Sequence, residues 1–214
     1  MKKAAVWLIC FALVLGKSNV VAAHLPHVIE KAVTVVKRPE ISQAFYADLE
    51  GEAEIYRIVS ARDFFLHVGL LVPDLPHMRK DFLVEILSRK EDKWEQLSLL
   101  DGNSHTWNKF FEPFAGDRYW QGPEISKQVQ AGEYLVWVSN PDNEGKYVLI
   151  IGKKDSFKLS DLLATIKRLP QVKLFLAKNP WTAYFNLMGL FILLAVSAGI
   201  AIILLLYRLV KAKL

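Results

Sequence analysis

Histidines are the residues of this chain whose placement most invites chemistry. His24 and His27 stand in the run His24-Leu25-Pro26-His27, directly after Val21-Ala22-Ala23, small residues in the spacing a signal peptidase accepts. Cleavage after Ala23 makes His24 the first residue of the mature chain. Its free amine and imidazole then form a chelate for Cu(II), with His27, His67, His77 or His105 as a third nitrogen, because nitrogen donors in a square-planar set favour copper. Other chemistries lack their parts. A nucleophile requires a base within reach and an elbow or helix end to present it, and the sequence contains no G-x-S-x-G and no S-x-x-K. The single cysteine, Cys10, falls inside the expected signal, which leaves no disulfide or thiolate site in the mature chain. No H-E-x-x-H occurs, and His67, His77 and His105 are scattered. Asp48, Glu50, Glu52 and Glu54 alternate around Gly51 as the solvated edge of a strand. The expectation is a protein that is not an enzyme and needs no cofactor, with copper binding at the N-terminal histidine as an alternative role.

A second chemistry-bearing stretch is TWNKFFEPFAGDRYWQGPE, residues 106–124, crowded with aromatic rings and broken by Pro113, Gly116, Gly122 and Pro123. It reads as a long loop with two roles open to it. Trp107, Phe110, Phe111, Phe114, Tyr119 and Trp120 suit a plug that closes one end of a core, since large rings bury much area without regular structure. Equally, Trp107, Tyr119 and Trp120 with Glu112, Asp117 and Arg118 suit a recognition surface for a glycan or a protein.

The ends of the chain decide where such a surface would work. MKKAAVWLICFALVLG opens with two lysines and an apolar run shorter than the ~18 residues a span needs, so residues 1–23 are expected to be a secretory signal. Trp181 to Tyr207 carries no charge and is long enough to cross ~30 Å of hydrocarbon as a helix. Trp181, Tyr184 and Tyr207 mark its rims, and Arg208, Lys211 and Lys213 follow as a cytoplasmic tail. Lys167, Arg168, Lys173 and Lys178 on the near side weaken the charge asymmetry, and the signal fixes the orientation. The formal charge of +5 includes Lys2, Lys3, Lys17, Arg208, Lys211 and Lys213; without them the rest of the chain stands at −1, so a nucleic-acid partner is not expected.

Between the ends, after a lead-in at 24–39 with one short strand (AVTVV), strand-like runs arrive at the spacing of an all-β fold: ISQAFYADL, EAEIYRIV, DFFLHVGLLV, KDFLVEILSR, WEQLSLL, EYLVWVS and KYVLIIG. Val72-Pro73-Asp74-Leu75-Pro76, Asp101-Gly102-Asn103 and Asn140 to Gly145 supply the loops and turns between them. In EAEIYRIV both faces carry apolar residues, which suits a sandwich better than one open sheet. Residues 153–180 form a helical stalk, with Ser160 as its cap, Asp161 in the first turn, Leu159, Leu162, Leu163, Ile166 and Leu169 on one face, and Pro170 ending or bending it. That face suits either the lipid headgroups or the β-domain itself.

The hairpin AGEYLVWVSNPDNEGKYVLIIG resembles the last hairpin of the bacterial pre-peptidase C-terminal domain family, with Ala131, Gly132, Tyr134, Val136, Val138, Gly145, Tyr147, Leu149 and Ile151 at the matching places. The resemblance spans residues 53–152 and implies an exported, jelly-roll-like β-sandwich. The family's protease is not attached here, and its D-x-D-x-Y strand is represented by Glu52-Ala53-Glu54-Ile55-Tyr56. The chain is thus expected to be mainly β: an antiparallel jelly-roll-like sandwich at 40–152, a helical stalk at 153–180, one membrane helix at 181–207 and a basic tail at 208–214. Its expected role is a non-catalytic binding or accessory module of the cell envelope, facing the bilayer and an envelope protein or glycan. Gly189, Ser197 and Gly199 in the span would let a second helix approach, which is the mark of a subunit of a membrane complex.

Overall fold

The computed structural model describes residues 24–29, 33–113, 115–156 and 158–211. The expected signal, residues 1–23, lies outside them, as do Phe114 and Lys213. Strands β1 (Leu25–Val28), β2 (Val33–Val36), β3 (Gln43–Glu50), β4 (Glu54–Ser60), β5 (Phe64–Pro73), β6 (Leu83–Lys90), β7 (Lys93–Asp101), β8 (Asn108–Glu112), β9 (Asp117–Val129), β10 (Gly132–Ser139) and β11 (Glu144–Ile151) form two sheets. One sheet runs β1-β3-β11-β5-β9-β8 and the other β2-β4-β10-β6-β7. The sandwich is therefore present, and mostly antiparallel. Its parallel pairs are β1 with β3 and β2 with β4, so the lead-in is woven into an edge of each sheet.

Alternation along the strands builds the interior. Phe45, Ala47 and Leu49 of β3 meet Leu66, Val68, Leu70 and Val72 of β5, and from the other sheet Tyr56, Ile58, Val84, Ile86, Val136 and Val138. Buried Tyr hydroxyls require partners. Tyr56 and Tyr147 both donate to Glu54 Oε2, at 3.0 and 2.9 Å, and lie 2.9 Å from each other. Glu54 is thus buried beneath two tyrosines rather than at a solvated edge, and that burial raises its carboxyl above the usual range. Glu54→Leu strands two hydroxyls with one hydrogen bond between them. A loss of about 2 kcal/mol in urea unfolding is expected; a loss under ~0.5 kcal/mol would mean the carboxyl is solvated.

The segment 108–124 forms a hairpin, not a loop: β8 pairs with β9, and β9 continues alongside β5. Its glycine and proline sit where the ladder is already irregular. Gly69 pairs with Glu124 and Leu71 with Gln121, which leaves Gly122 and Pro123 opposite Leu70 in a β-bulge, where a missing N–H is tolerated.

The C-terminal end of helix α1 (Leu159–Phe175) packs on the outer face of the six-stranded sheet. Val172, Phe175 and Leu176 meet Ala44, Tyr46, Leu71, Tyr119, Val148 and Ile150 there. Leu162, Ile166 and Leu169 of the expected apolar face pack instead with Ala115, Ala183, Met188 and Ile192, and Leu163 is exposed. Lys158, with no side-chain cap bond, precedes the helix in place of Ser160. Asp161 is held instead by Arg38, through a bidentate pair at 2.9 and 3.1 Å, and by Ser156, and these bonds hold its carboxyl down to about 2. Pro170 lies inside the helix without ending it. Its missing N–H would leave the Ile166 carbonyl bare, and the Tyr184 hydroxyl donates to that oxygen at 3.4 Å.

A short 3-10 helix (Pro180–Tyr184) then leads into α2 (Leu187–Lys211). The spanning helix begins at Leu187 rather than Trp181, and it runs on through Arg208. Its 25 residues make it long and apolar enough to cross a membrane.

Candidate functional site

The six residues expected to form a recognition surface are divided by the hairpin. Asp117 and Tyr119 face α1 and are buried, the latter with its hydroxyl 3.2 Å from that of Tyr46. Trp107 and Trp120 point the other way and close the open end of the core. The Trp107 indole donates to the Gly102 carbonyl at 2.8 Å, and its ring fills the space that a side chain at Gly122 would need. The Lys80 ammonium lies 3.4 Å from the Trp120 ring centroid and Lys109 5.1 Å from it, so a sugar stacking on that ring would have to displace them. Glu112 accepts from the Ala115 N–H at 2.6 Å and shapes the turn. Arg118 is exposed, in a groove with Leu176 and Lys178. The two tryptophans thus pack on the core, Asp117 belongs to a separate cluster whose turn Glu112 shapes, and Arg118 stays at the surface.

That cluster is the anchor of α1. Lys173, 2% exposed, donates to both oxygens of the fully buried Asp117 carboxylate at 2.8 and 2.7 Å and to the Ala115 carbonyl at 2.5 Å. Lys178 adds a bond to Asp117 Oδ1 at 2.7 Å from the rim. Asn186 donates to the same Ala115 carbonyl at 2.9 Å, while its Oδ1 accepts from the Gly189 N–H at 3.1 Å and caps α2. One turn of the sandwich thus grips α1 and the start of the spanning helix together.

The histidines separate by strand parity. His24 lies on the outer face of the six-stranded sheet, bonded to Ser42, in the same cross-strand row as His67, which bonds Ser126 at 2.8 Å. Both line a cavity of about 90 Å³ with Glu124, floored by Gly69. His27 turns the other way, stacks on Phe45 with centroids 5.0 Å apart, and accepts from the Arg168 guanidinium at 3.3 Å. His77 lies in a turn at φ 60°, and His105 packs edge-on against Trp107. Among the described residues no group of three or more His, Cys, Asp or Glu is placed to hold a metal ion. His67 is the histidine brought beside His24.

Burial, with His67 adding to it, holds the His24 imidazole down to about 4; burial, then Arg168 and Arg38, does the same for His27. Unfolded, both titrate at about pH 6.5. Between those values the unfolded chain binds more protons, so stability rises with pH from about 4 to 6.5, by at most about 1.4 kcal/mol per pH unit for each histidine and less for the more solvated His27. Urea unfolding at pH 4.5 and 7 checks this, and His27→Gln should reduce the slope. Equal stability at both pH values would place the imidazoles in water.

The outer faces of the two sheets differ. The six-stranded one is covered by α1 over Ala44, Tyr46, Tyr119, Val148 and Ile150. On the five-stranded one, Val33 stands beside Ile55, Trp137, Glu85 and Leu99 in one row, and Val35, Arg57, Leu135 and Leu87 form the next. Val33, Val35, Val59, Trp94, Leu99 and Trp137 are exposed there, while Arg57 and Arg89 both pair with Glu133 at the margin. The apolar residues on both faces of EAEIYRIV are the sequence signal of this face, since Ile55 and Val59 lie on it while Tyr56 and Ile58 enter the core.

No family model matches the sequence, and no curated protein matches it. Solved structures do. The chain is similar to the pre-peptidase C-terminal domain of a collagenase from Bacillus anthracis, at 10% identity over 57% of this chain and 96% of that one, with a TM-score of 0.35. It is also similar to a mitogen from Yersinia pseudotuberculosis, at 12% identity over 56% of this chain and 92% of that one, with a TM-score of 0.34. The first is a domain of the family that the 131–151 hairpin resembles. Neither neighbour's chemistry transfers to this chain at such values.

Proposed function

We propose that this protein is a single-span β-sandwich on the outer side of the cell membrane that acts as a non-catalytic binding or accessory module for an envelope protein. The supporting observation is the uncovered apolar face of the five-stranded sheet. Val33, Val35, Val59, Leu99 and Trp137 are exposed across it, interleaved with Glu85 and with Arg57 and Arg89, which Glu133 neutralises, while Trp94 stands beside Arg89 at one end; exposed aromatic and branched apolar residues among paired charges suit contact with a protein. The grip of the 113–116 turn on both α1 and α2 holds that face at a fixed height above the bilayer. Arg208 and Lys211 in the last turn of α2 support a cytoplasmic end, with the sandwich outside.

Site-specific photo-crosslinking in native membranes tests the binding role. A probe at Trp137 should give one discrete protein adduct, a probe at exposed Glu52 should give none, and Trp137→Arg should abolish co-purification of the adduct's partner. A Trp137 probe that gives no adduct above the Glu52 control removes the reading. Alkaline carbonate should leave the intact chain in the vesicles, and protease added to the outside should digest residues 40–152.

A further inference from the structure

We infer that the base of the sandwich carries a binding site for the phosphate of an anionic phospholipid, in the groove between the β8–β9 turn and the end of α1; the inference rests on the membrane-anchored reading above. The groove has a volume of about 330 Å³ and is lined by Asp74, Phe111, Gly116, Arg118, Leu176 and Lys178, together with Leu75.

Its charge comes from an imbalance in the buried anchor. Asp117 meets two ammonium groups, and Lys173 already engages both of its oxygens. Lys178 uses one of its three hydrogens on Asp117, which leaves donors and a whole positive charge at the groove. Arg118 makes no ion pair among the described residues, and its planar fork suits two phosphate oxygens at once. Asp74, the acid in the lining, stands 3.9 Å from Lys109. Two cations thus face a groove whose acid has a counter-charge of its own.

The depth of the groove selects the ligand. A Cβ on Gly116 would stand 3.3 Å from the Cβ of Asn186, the residue that caps α2. At 1.5 Å per residue α2 extends about 37 Å, enough to fill ~30 Å of hydrocarbon from near its first turn. The groove therefore lies at headgroup level. Phe111, 54% exposed, lines it, and Trp181 and Phe185, 77% and 85% exposed, stand in the turn that leads into α2, rings that suit the boundary between headgroups and acyl chains. A choline headgroup would bring a further cation into a site already in positive excess. A glycerol headgroup would not.

Native mass spectrometry of the detergent-purified full-length protein, given phosphatidylglycerol and phosphatidylcholine in equal amounts, tests the site. Phosphatidylglycerol should be retained about tenfold over phosphatidylcholine, and Arg118→Gln should lower that retention about fivefold, while Lys127→Gln at the other end of β9 leaves it unchanged. Arg118 is exposed, and an unaltered melting curve shows that its variant is folded. Equal retention of the two lipids overturns the inference, as does an Arg118→Gln variant that binds like the parent. Displacement of the lipid by millimolar glycerol phosphate also overturns it, since that assigns the anion site to soluble phosphate esters. Carbonate extraction of reconstituted vesicles separates the two failures: release of the chain defeats anchoring and site together, whereas retention without lipid preference defeats the site alone.

Discussion

Asp117→Asn should destabilise the protein by about 3–5 kcal/mol, because it leaves the Lys173 ammonium 2% exposed with no anion to meet it. The volume of the side chain hardly changes, so the loss measures charge and not packing. Lys178 loses its partner as well, but its side chain is 40% exposed and water replaces the bond. The first consequence is local: α1 lifts from Tyr46, Tyr119 and Ile150, and those residues face water. A paired change, Asp117→Leu with Lys173→Met, should recover most of the loss, since an apolar pair of similar volume dispenses with the desolvation of both ions. Urea unfolding, followed by the fluorescence of the tryptophans near the plug, reports the first effect, and protection of α1 from trypsin reports the second. A single variant that loses less than ~1 kcal/mol would mean that water reaches the pair and that the apolar contacts alone hold the helix.

That pair was invisible in the sequence for a physical reason. Asp117 and Lys173 are 56 positions apart, and each sits in a segment whose other charges are solvated, so nothing local separates them from Arg118 or Lys178. Strands declared themselves more readily. Seven runs from Ile41 to Gly152 read as strands by their β-branched and aromatic residues and the turn formers between them; alternation is clear in several, such as EYLVWVS, whereas β5 and β11 are buried on both faces and apolar along most of their length. β1 escaped, since four residues containing Pro26 and His27 make no pattern; an edge position in a parallel pair tolerates the proline. The 106–124 segment misled in the opposite direction, as Gly122 and Pro123 are loop residues by type but occupy a bulge, where Gly122 yields its space to the Trp107 ring. Glu54 was read by its charge as solvated, whereas the two tyrosines that satisfy it come from β4 and β11. Tertiary partners decide such residues, and a single chain's pattern does not contain them.

Gly189 carries the second large effect. By type it is a small residue in an apolar helix, suited to the approach of another span. Its surroundings give it an internal role instead, since a Cβ built there would fall 1.6 Å from the Tyr184 carbonyl oxygen and 2.6 Å from its carbon. The 3-10 turn therefore folds directly onto the first turn of α2, and only glycine leaves room for it. Gly189→Ala should force that turn apart, at about 3 kcal/mol or more, since the obstacle is backbone and cannot rotate away. The Asn186 cap then loses the Gly189 N–H, and with it the geometry that also serves Ala115. Because the sandwich core is remote from this junction, its melting temperature should scarcely move, while trypsin cleavage after Lys178 should rise by more than about tenfold. Gly199→Ala is the matched control, as nothing lies within 4 Å of a Cβ there. If Gly189→Ala is cleaved no faster than Gly199→Ala, the turn and the helix are independent, and the sandwich swings freely above the membrane instead of standing at a set height.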